Sequence, residues 1–140
     1  MKRVFIDTSV LFSACNSRTG AATIILGRCR KGAIQGYISS YVLSEIKRNV
    51  AARLDQVGKK RLHVFLQQGR LTIVEEPGVE EVKRCERVIA AKDAPVLAAS
   101  IKCNASHLLT FNTTDFKRPE VRAFAKPLEI MTPREFITSK

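Results

Sequence analysis

The strongest constraint on the fold is an alternation of predicted helices and short apolar strands along the chain. A predicted helix ends at Gly32, at Gly69 and at Asn104, and an apolar strand follows each of them within a few residues. Such an alternation favours right-handed βαβ connections, which build a parallel sheet covered by helices on both faces. We therefore predict an α/β fold, a three-layer α/β/α sandwich with a central, mainly parallel sheet.

The predicted elements follow from apolar periodicity and from helix start and stop signals. Strands are predicted at residues 4–6, 33–38, 71–74, 107–109 and 128–131. Helices are predicted over residues 21–30, 40–50, 59–68, 79–89 and 93–103 and from residue 132 onward. Gly58 is expected to break the helical pattern, and Asn104 is expected to end its helix in a left-handed conformation.

Composition limits the class of protein. The 140 residues, of which 45% are hydrophobic and 26% charged, have the make-up of one globular domain, which we expect to span 1–140. No apolar run approaches the roughly 18 residues of a membrane span, and Asp7 interrupts the first one. We therefore expect a cytoplasmic protein with no signal peptide and no membrane partner. The four cysteines have no metal-ligand spacing, which argues against zinc.

The formal net charge of +11 is the main compositional indication of function. A small basic protein attracts polyanions, above all nucleic acid, although solubility or an acidic protein partner would also account for the charge. The basic residues are spread along the chain rather than gathered in a tail. This distribution indicates a basic face on a folded domain.

The stretch from Met1 to Phe12 connects the predicted fold to chemistry. Val4, Phe5 and Ile6 read as a buried strand that runs directly into Asp7. The carboxylate would then lie at the carboxyl end of the strand, where open α/β sheets bind their ligands. Asp7 could equally be the N-cap of the following helix.

Three further acidic residues occupy comparable positions. Glu45 lies one turn into the helix after the second strand, Asp93 begins a buried helix, and Asp115 follows the strand at 107–109, shortly after Asn112. In a parallel sheet these positions share one rim, where converging carboxylates raise one another's pKa values. A divalent cation removes that repulsion, and oxygen ligands favour Mg²⁺ or Mn²⁺. Taken singly, each residue could instead be a helix cap, a solvated helix position or a turn residue.

Four segments, in order along the chain, resemble the four motifs of the PIN-domain family. They are R-V-F-I-D-T-S-V-L-F, S-x-x-V-L-S-E-I, K-D-A-P-V-L-A-A-S and L-L-T-F-N-T-T-D-F, and the closing P-L-E-I-M-T-P-R-E-F-I is similar to that domain's last strand and helix. The resemblance covers essentially the whole chain. It implies a metal-dependent ribonuclease. Small prokaryotic members of the family are often VapC-type toxins, which an antitoxin neutralises. The resemblance also implies a homodimer.

The resemblance implies Asp7, Glu45 and Asp93 as metal ligands, with Ser9 and Thr110 supporting the site. A bound divalent ion would lower the pKa of a water for in-line attack on the phosphate and would stabilise the leaving oxygen. Glu45 would be a further ligand or would orient the water.

The fourth motif departs from the family pattern. Many members carry an acid where this chain has Asn112. Either Asn112 itself is a metal ligand, or Asp115 substitutes as metal ligand and catalytic carboxylate, or Asp115 merely borders the site. The departure bears on how fully a second metal site is formed.

Basic residues are predicted to hold the backbone of single-stranded RNA, with an affinity that depends on salt but not on sequence. The candidates are Arg18, Lys47, Arg48, Lys92 and Lys117.

Two other functions stay open at this stage. The chain could be a catalytically inactive PIN-like module that binds RNA or protein, in which Asn112 marks a lost site and RNA binding survives loss of Asp7. It could also be a phosphoryl-transfer domain of the receiver or phosphatase type, which has an Asp at a strand end. The chain lacks that type's paired N-terminal acids, its D-x-D motif and a suitably placed Lys.

Overall fold

The computed structural model of the protein describes residues 1–139. It contains a five-stranded sheet in the order β3-β2-β1-β4-β5, in which every neighbouring pair is parallel. The strands are β1 (Arg3–Ile6), β2 (Gln35–Ser39), β3 (Thr72–Val74), β4 (His107–Leu109) and β5 (Glu129–Met131). The predicted parallel α/β architecture is confirmed, with the strand of the first motif at the centre of the sheet.

Helices connect all of these strands. They are α1 (Thr8–Asn16), α2 (Ala21–Arg30), α3 (Ser40–Arg53), α4 (Gln56–Gln68), α5 (Val79–Cys85), α6 (Ala94–Lys102), α7 (Thr113–Phe116), α8 (Pro119–Ala125) and α9 (Pro133–Thr138). From β1 to β3 the chain moves toward one edge of the sheet, and from β3 through β4 to β5 it moves toward the other. With right-handed connections, α1–α4 cover one face and α5–α8 cover the other. The last helix, α9, packs against α2.

The core is built around the central strand β1 and its neighbour β4. Val4, Phe5 and Ile6 of β1 are completely buried, as are Leu108 and Leu109 of β4. Continuous apolar runs of this kind are what a strand covered on both faces requires. Because these strands are fixed by the core, the residues that follow them at the carboxyl rim have a defined position.

The predicted helix ends are only partly correct. The helices end as predicted before Gly32, Gly69 and Asn104, and Asn104 has the expected left-handed φ of 57°. Gly32 also has a positive φ, of 77°, whereas after α4 the positive φ of 58° falls on Arg70. The helix that begins at Val79 ends at Cys85, where a turn replaces the predicted continuation to residue 89.

The predicted helix break at Gly58 is wrong, because Gly58 lies within α4. The Asp55 side chain caps this helix by accepting a hydrogen bond from the Gly58 N–H at 3.1 Å. A Cβ at this position would come within 2.7 Å of the Leu54 side chain. The glycine therefore permits close packing at the start of α4 rather than ending a helix.

Within residues 1–139, no helix combines the length and the apolar character needed to cross a membrane.

Candidate active site

The candidate site lies at the carboxyl rim of β1 and β4. The Asp7 N–H donates to the Leu109 carbonyl at 3.0 Å, and the Thr110 N–H donates to the Met131 carbonyl at 3.1 Å. These bonds continue the ladders of the sheet by one residue beyond the strands. Asp7 and Thr110 are therefore held by the sheet and not by a mobile loop.

The Asp7 carboxylate is buried and is oriented by two hydroxyl groups. Its Oδ2 accepts hydrogen bonds from Thr110 Oγ1 at 2.7 Å and from Ser9 Oγ at 2.9 Å. Asp7 occupies the N-cap position of α1 but makes no capping hydrogen bond with its side chain. Burial raises the pKa of Asp7, hydrogen bonds from Thr110 and Ser9 oppose this rise, and the charge of Glu45 adds to it.

Asp93 has an unpaired carboxylate oxygen. Its Oδ1 accepts a hydrogen bond from the Asn112 amide at 3.3 Å, while its Oδ2 is buried without a partner among residues 1–139. Its side chain does not cap α6, although the residue precedes that helix. The pKa of Asp93 is raised to about 6, first by burial and then by the charges of Asp115 and Asp7, while Lys92 opposes the rise. A buried, unpaired carboxylate oxygen is costly to the fold, and a cation would compensate for it.

Glu45 reaches the same place from α3. The helix begins at a capped end, where Ser39 Oγ accepts a hydrogen bond from the Val42 N–H at 3.2 Å. One turn later, Glu45 Oε1 accepts a hydrogen bond from Thr8 Oγ1 at 2.5 Å. Thr8 directly follows Asp7, so this bond connects α3 to the end of β1.

One cavity of about 360 Å³ collects these groups. Asp7, Ser9, Glu45, Asp93 and Asn112 all line it. The sequence-predicted site residues from all four motifs are thus brought together at one rim.

Asp115 and Thr110 do not line the cavity but act on residues that do. Asp115 does not line the cavity; it forms an ion pair with Lys92 at 3.8 Å and acts on the pKa of Asp93 through its charge. Thr110 is fully buried and acts through Asp7 and through the Asn112 N–H, from which its Oγ1 accepts a hydrogen bond at 2.9 Å.

The donor set fits a hard divalent cation, because Asp7, Glu45 and Asp93 offer only oxygen atoms and one of those atoms is orphaned. Across residues 1–139, however, no three His, Cys, Asp or Glu side chains are arranged closely enough to form a ready-made metal cage. The carboxylates line a common cavity but are not close enough together to coordinate one ion as they stand.

The five basic residues predicted to hold RNA lie outside this cavity. Lys92 forms the ion pair with Asp115, and Lys117 donates to the Glu135 carboxylate at 2.6 Å. Lys47 and Arg48 are exposed on α3, and Arg18 lines a separate cavity beside α4.

A different cation, Arg53, lines the cavity together with Asn49. Asn49 follows Glu45 by one turn of α3, and Arg53 follows it by two. Helical periodicity counted from Glu45 was therefore the signal that could have identified them. Phe12, Phe111 and Thr8 complete the lining. Their positions depend on how α1 packs against α3, which local sequence patterns do not specify.

A comparison with family models matches this chain to the PIN domain over residues 3–114. This interval contains the first three motifs and the fourth as far as residue 114, so that Asp115 and Phe116 lie beyond it, and it confirms the resemblance to the family. A search of curated proteins finds no significant match.

Solved structures share the fold. The VapBC2 complex of Rickettsia felis, bound to a DNA fragment from its promoter, contains a chain with a TM-score of 0.65 and 22% identity over 91% of this chain and 98% of that chain. PAE2754 from Pyrobaculum aerophilum has a TM-score of 0.63 and 16% identity, over 97% of this chain and 88% of that one. VapC20 of Mycobacterium tuberculosis, described as a sarcin-ricin loop cleaving toxin, has a TM-score of 0.57 and 15% identity, over 79% and 90%.

Proposed function

The chain belongs to the PIN-domain family, and from that premise we propose that it is a metal-dependent ribonuclease that hydrolyses phosphodiester bonds of single-stranded RNA. The observation that carries this proposal is the buried, unpaired Oδ2 of Asp93, in a cavity that Asp7 and Glu45 also line. An arrangement of this kind lowers the stability of the fold unless a cation completes it. Mg²⁺ or Mn²⁺ suits the all-oxygen donor set.

In this mechanism, Asp7, Glu45 and Asp93 hold the ion, and each is oriented by a neighbour. Thr110 and Ser9 engage one oxygen of Asp7, and Thr8 engages one oxygen of Glu45. When bound, the ion supplies a water of lowered pKa and positive charge for the phosphate and the leaving oxygen.

Two residues of the fourth motif act on Asp93. Asn112 holds its Oδ1, which leaves Oδ2 free for a cation, and Asn112 itself lines the cavity as a neutral oxygen donor. Asp115 adds negative charge from outside the cavity and so strengthens the affinity of Asp93 for a cation. We propose that this chain relies on these two residues where other family members have an acid.

We further propose that the protein is the toxin of a toxin–antitoxin pair and that it acts in the cytoplasm as a homodimer. The solved structures that share its fold include a VapBC complex and a toxin that cleaves the sarcin-ricin loop, and its charge of +11 suits an RNA substrate. We also propose that 1–140 is one domain. Although the family match ends at residue 114, β5 pairs with β4 and α9 packs on α2. Light scattering of the purified protein, alone and with the product of the adjacent reading frame, tests the partners.

A second candidate function is a catalytically inactive PIN-like module. It is favoured by the amide of Asn112 in place of an acid and by the absence, in the described part of the chain, of three acidic groups closed around one point. The two functions differ in what loss of Asp7 does.

The deciding experiment is cleavage of a labelled single-stranded RNA in Mg²⁺ or Mn²⁺, with binding followed in parallel. Asp7→Asn and an EDTA control are compared with wild type, and Glu129→Gln serves as an acid-to-amide control at the opposite rim of the sheet. We expect metal-dependent cutting that Asp7→Asn lowers by at least about 100-fold, equivalent to the several kcal/mol that metal catalysis contributes. Binding without cutting in both metals would establish the inactive module.

A further inference from the structure

Three adjoining cavities form one groove that leads away from the carboxylates. The cavity that contains Asp7 and Asp93 shares Arg53 with a second cavity of about 400 Å³. The second cavity shares Val57 and Arg61 with a third, of about 480 Å³, which lies along α4. We call the second and third cavities together the α4 groove. Because its parts share lining residues, a chain-like ligand bound at the carboxylates can continue into it.

The α4 groove is positively charged. Its lining includes Arg53, Arg61, Lys60 and Arg18, against the single carboxylate of Asp55, which is engaged in capping α4. Within residues 1–139, none of these four cations has a carboxylate within ion-pair distance. Arg61 donates to the Cys15 carbonyl at 3.2 Å, which fixes the guanidinium and leaves its other donors available. The groove therefore offers unneutralised positive charge to a ligand.

Arg53 stands where the α4 groove meets the carboxylates. Its guanidinium lies over the Phe12 ring, 5.3 Å from the ring centroid, and so is held in place by a contact that leaves its N–H groups free to donate. A planar guanidinium of this kind is suited to the oxygens of a phosphodiester. Its position at the mouth of the acidic cavity suits the phosphate next to the one that is cleaved.

The far end of the α4 groove has a different character. Val57, Val64 and Phe65 give it an apolar floor, with Arg18 and Lys60 beside it. Bases stack on apolar and aromatic surfaces while cations hold the phosphates, which is the usual arrangement in single-strand binding proteins. A pairing of apolar floor and cationic sides therefore fits an extended nucleic-acid strand.

We propose that the α4 groove binds the RNA strand on one side of the scissile phosphate and that Arg53 positions the neighbouring phosphodiester. This inference rests on the proposed function for the identity of the polymer. It assigns the contact to Arg53, Lys60 and Arg61 of α3 and α4, together with Arg18, which is the one residue of the five predicted from the sequence that lines the groove.

The test is the equilibrium binding of a short, fluorescently labelled single-stranded RNA in EDTA, which prevents metal-dependent cutting. Arg53→Gln/Lys60→Gln is compared with Arg30→Gln/Lys31→Gln, which removes the same charge from exposed positions at the far end of α2. We expect the groove variant to bind about tenfold more weakly and its salt dependence to fall by about 0.7 for each phosphate that is no longer neutralised. The control variant is expected to stay within about twofold of wild type.

Arg53→Lys separates charge from geometry. It keeps the positive charge but removes the planar group that stacks on Phe12, so we expect the salt dependence of wild type with an affinity lowered by about two- to threefold. All four residues changed in these variants are exposed, and circular dichroism verifies that each variant is folded.

The outcomes separate this inference from the proposed function. If the groove variant binds RNA as tightly as wild type and the protein still cuts RNA, the α4 groove is not the path of the RNA. The groove would then be a site for a protein segment. Weakened binding by the groove variant, in a protein that never cuts RNA, supports the groove and overturns the nuclease. A wild-type protein that binds no RNA overturns both.

Discussion

The two ends of the parallel sheet hold their buried polar groups in opposite ways. At the amino rim, His107 Nε2 lies 3.1 Å from a Glu129 carboxylate oxygen, and its Nδ1 lies 2.9 Å from Ser106 Oγ. At the carboxyl rim, the charges of Asp115 and Asp7 help to raise the pKa of Asp93, and one oxygen of Asp93 has no partner among residues 1–139. His107 at the amino rim is paired by its own neighbours, whereas the carboxyl rim leaves a buried carboxylate oxygen unpaired.

The arginines of the two regions differ in the same way. Arg3, at the amino rim, donates to the carbonyls of Cys103 and Asn104 at 2.5 and 3.2 Å and lies 4.7 Å from the centroid of the Tyr37 ring. Arg53, beside the carboxylates, lies over the Phe12 ring and forms no ion pair with the part of the chain that the structure describes. Charged groups used inside the fold indicate a structural role, and those left unused indicate where a ligand binds.

The largest effect that would test this comparison is stabilisation by metal. Mn²⁺ or Mg²⁺ at 100 times its Kd is expected to raise the free energy of unfolding of wild type by about 2.7 kcal/mol, because the ion binds only the folded site. Thermal denaturation followed by circular dichroism measures the shift. We expect Asp93→Asn to abolish it and Glu129→Gln to retain it. An equal shift in Asp93→Asn would mean that the ion binds elsewhere.

A smaller effect is expected from Thr110→Val, which removes a buried hydroxyl. That hydroxyl donates to Asp7 and accepts from the Asn112 N–H, so the substitution leaves the Asn112 N–H unpaired and Asp7 Oδ2 with the Ser9 hydroxyl as its one remaining hydroxyl donor. We expect a loss of about 2 kcal/mol in the free energy of unfolding, measured by urea denaturation. Thr110→Ser retains the hydroxyl and should recover most of the loss. If valine and serine behave alike, the hydrogen bonds at this rim contribute nothing to stability.

The sequence predicts the fold well because the relevant signals are local. Each apolar run is bounded by a helix end, and Gly32 and Asn104 adopt the backbone conformations that their residue types favour. The parallel order then follows from connection handedness. The Gly58 prediction failed because a glycine is ambiguous: it can end a helix or allow a close contact, and only the position of Leu54 decides between them.

The acidic half of the candidate site was also predictable, but the basic half was not. Asp7 and Asp93 sit at element ends, where topology alone brings them to one rim. The cation that reaches this rim, Arg53, is one of many basic residues in a chain of net charge +11. Helical periodicity places it on the same side of α3 as Glu45, but only once Glu45 has been assigned to the site, and nothing else in the sequence distinguishes it from the other basic residues.

The pH dependence of the metal-free protein would sharpen the comparison further. The pKa of Asp93 in the folded protein is about 6, above the value of about 3.9 in an unfolded chain. The native state therefore binds more protons than the unfolded state between these values, and stability rises as the pH falls through them. Asp93→Asn removes this penalty. It should raise the free energy of unfolding near neutral pH by about 1 kcal/mol, since solvent screens this half-buried group.

Urea denaturation of both proteins in EDTA, at neutral and at acidic pH, measures this difference. We expect the advantage of Asp93→Asn to shrink as the pH falls toward the unfolded-state pKa of about 3.9, because wild-type Asp93 is then protonated as well. A variant that is less stable than wild type at neutral pH would show that Asp93 is satisfied without a metal and would break the contrast between the rims.

The smallest effect is expected at the amino rim, from Glu129→Gln. Burial lowers the pKa of His107, and Glu129 partly opposes that effect. A group with a lowered pKa contributes stability above its unfolded value of about 6.5, and this contribution is lost as the pH falls through the folded value. Removing Glu129 lowers the pKa of His107 further, so the loss in the free energy of unfolding should be under about 1 kcal/mol near neutral pH and should grow on acidification.

This pH trend is opposite in sign to that of the Asp93 carboxylate, and urea denaturation across the same pH range would detect it. Equal trends at the two rims would mean that the polar groups of the amino rim are no better satisfied than those of the candidate site.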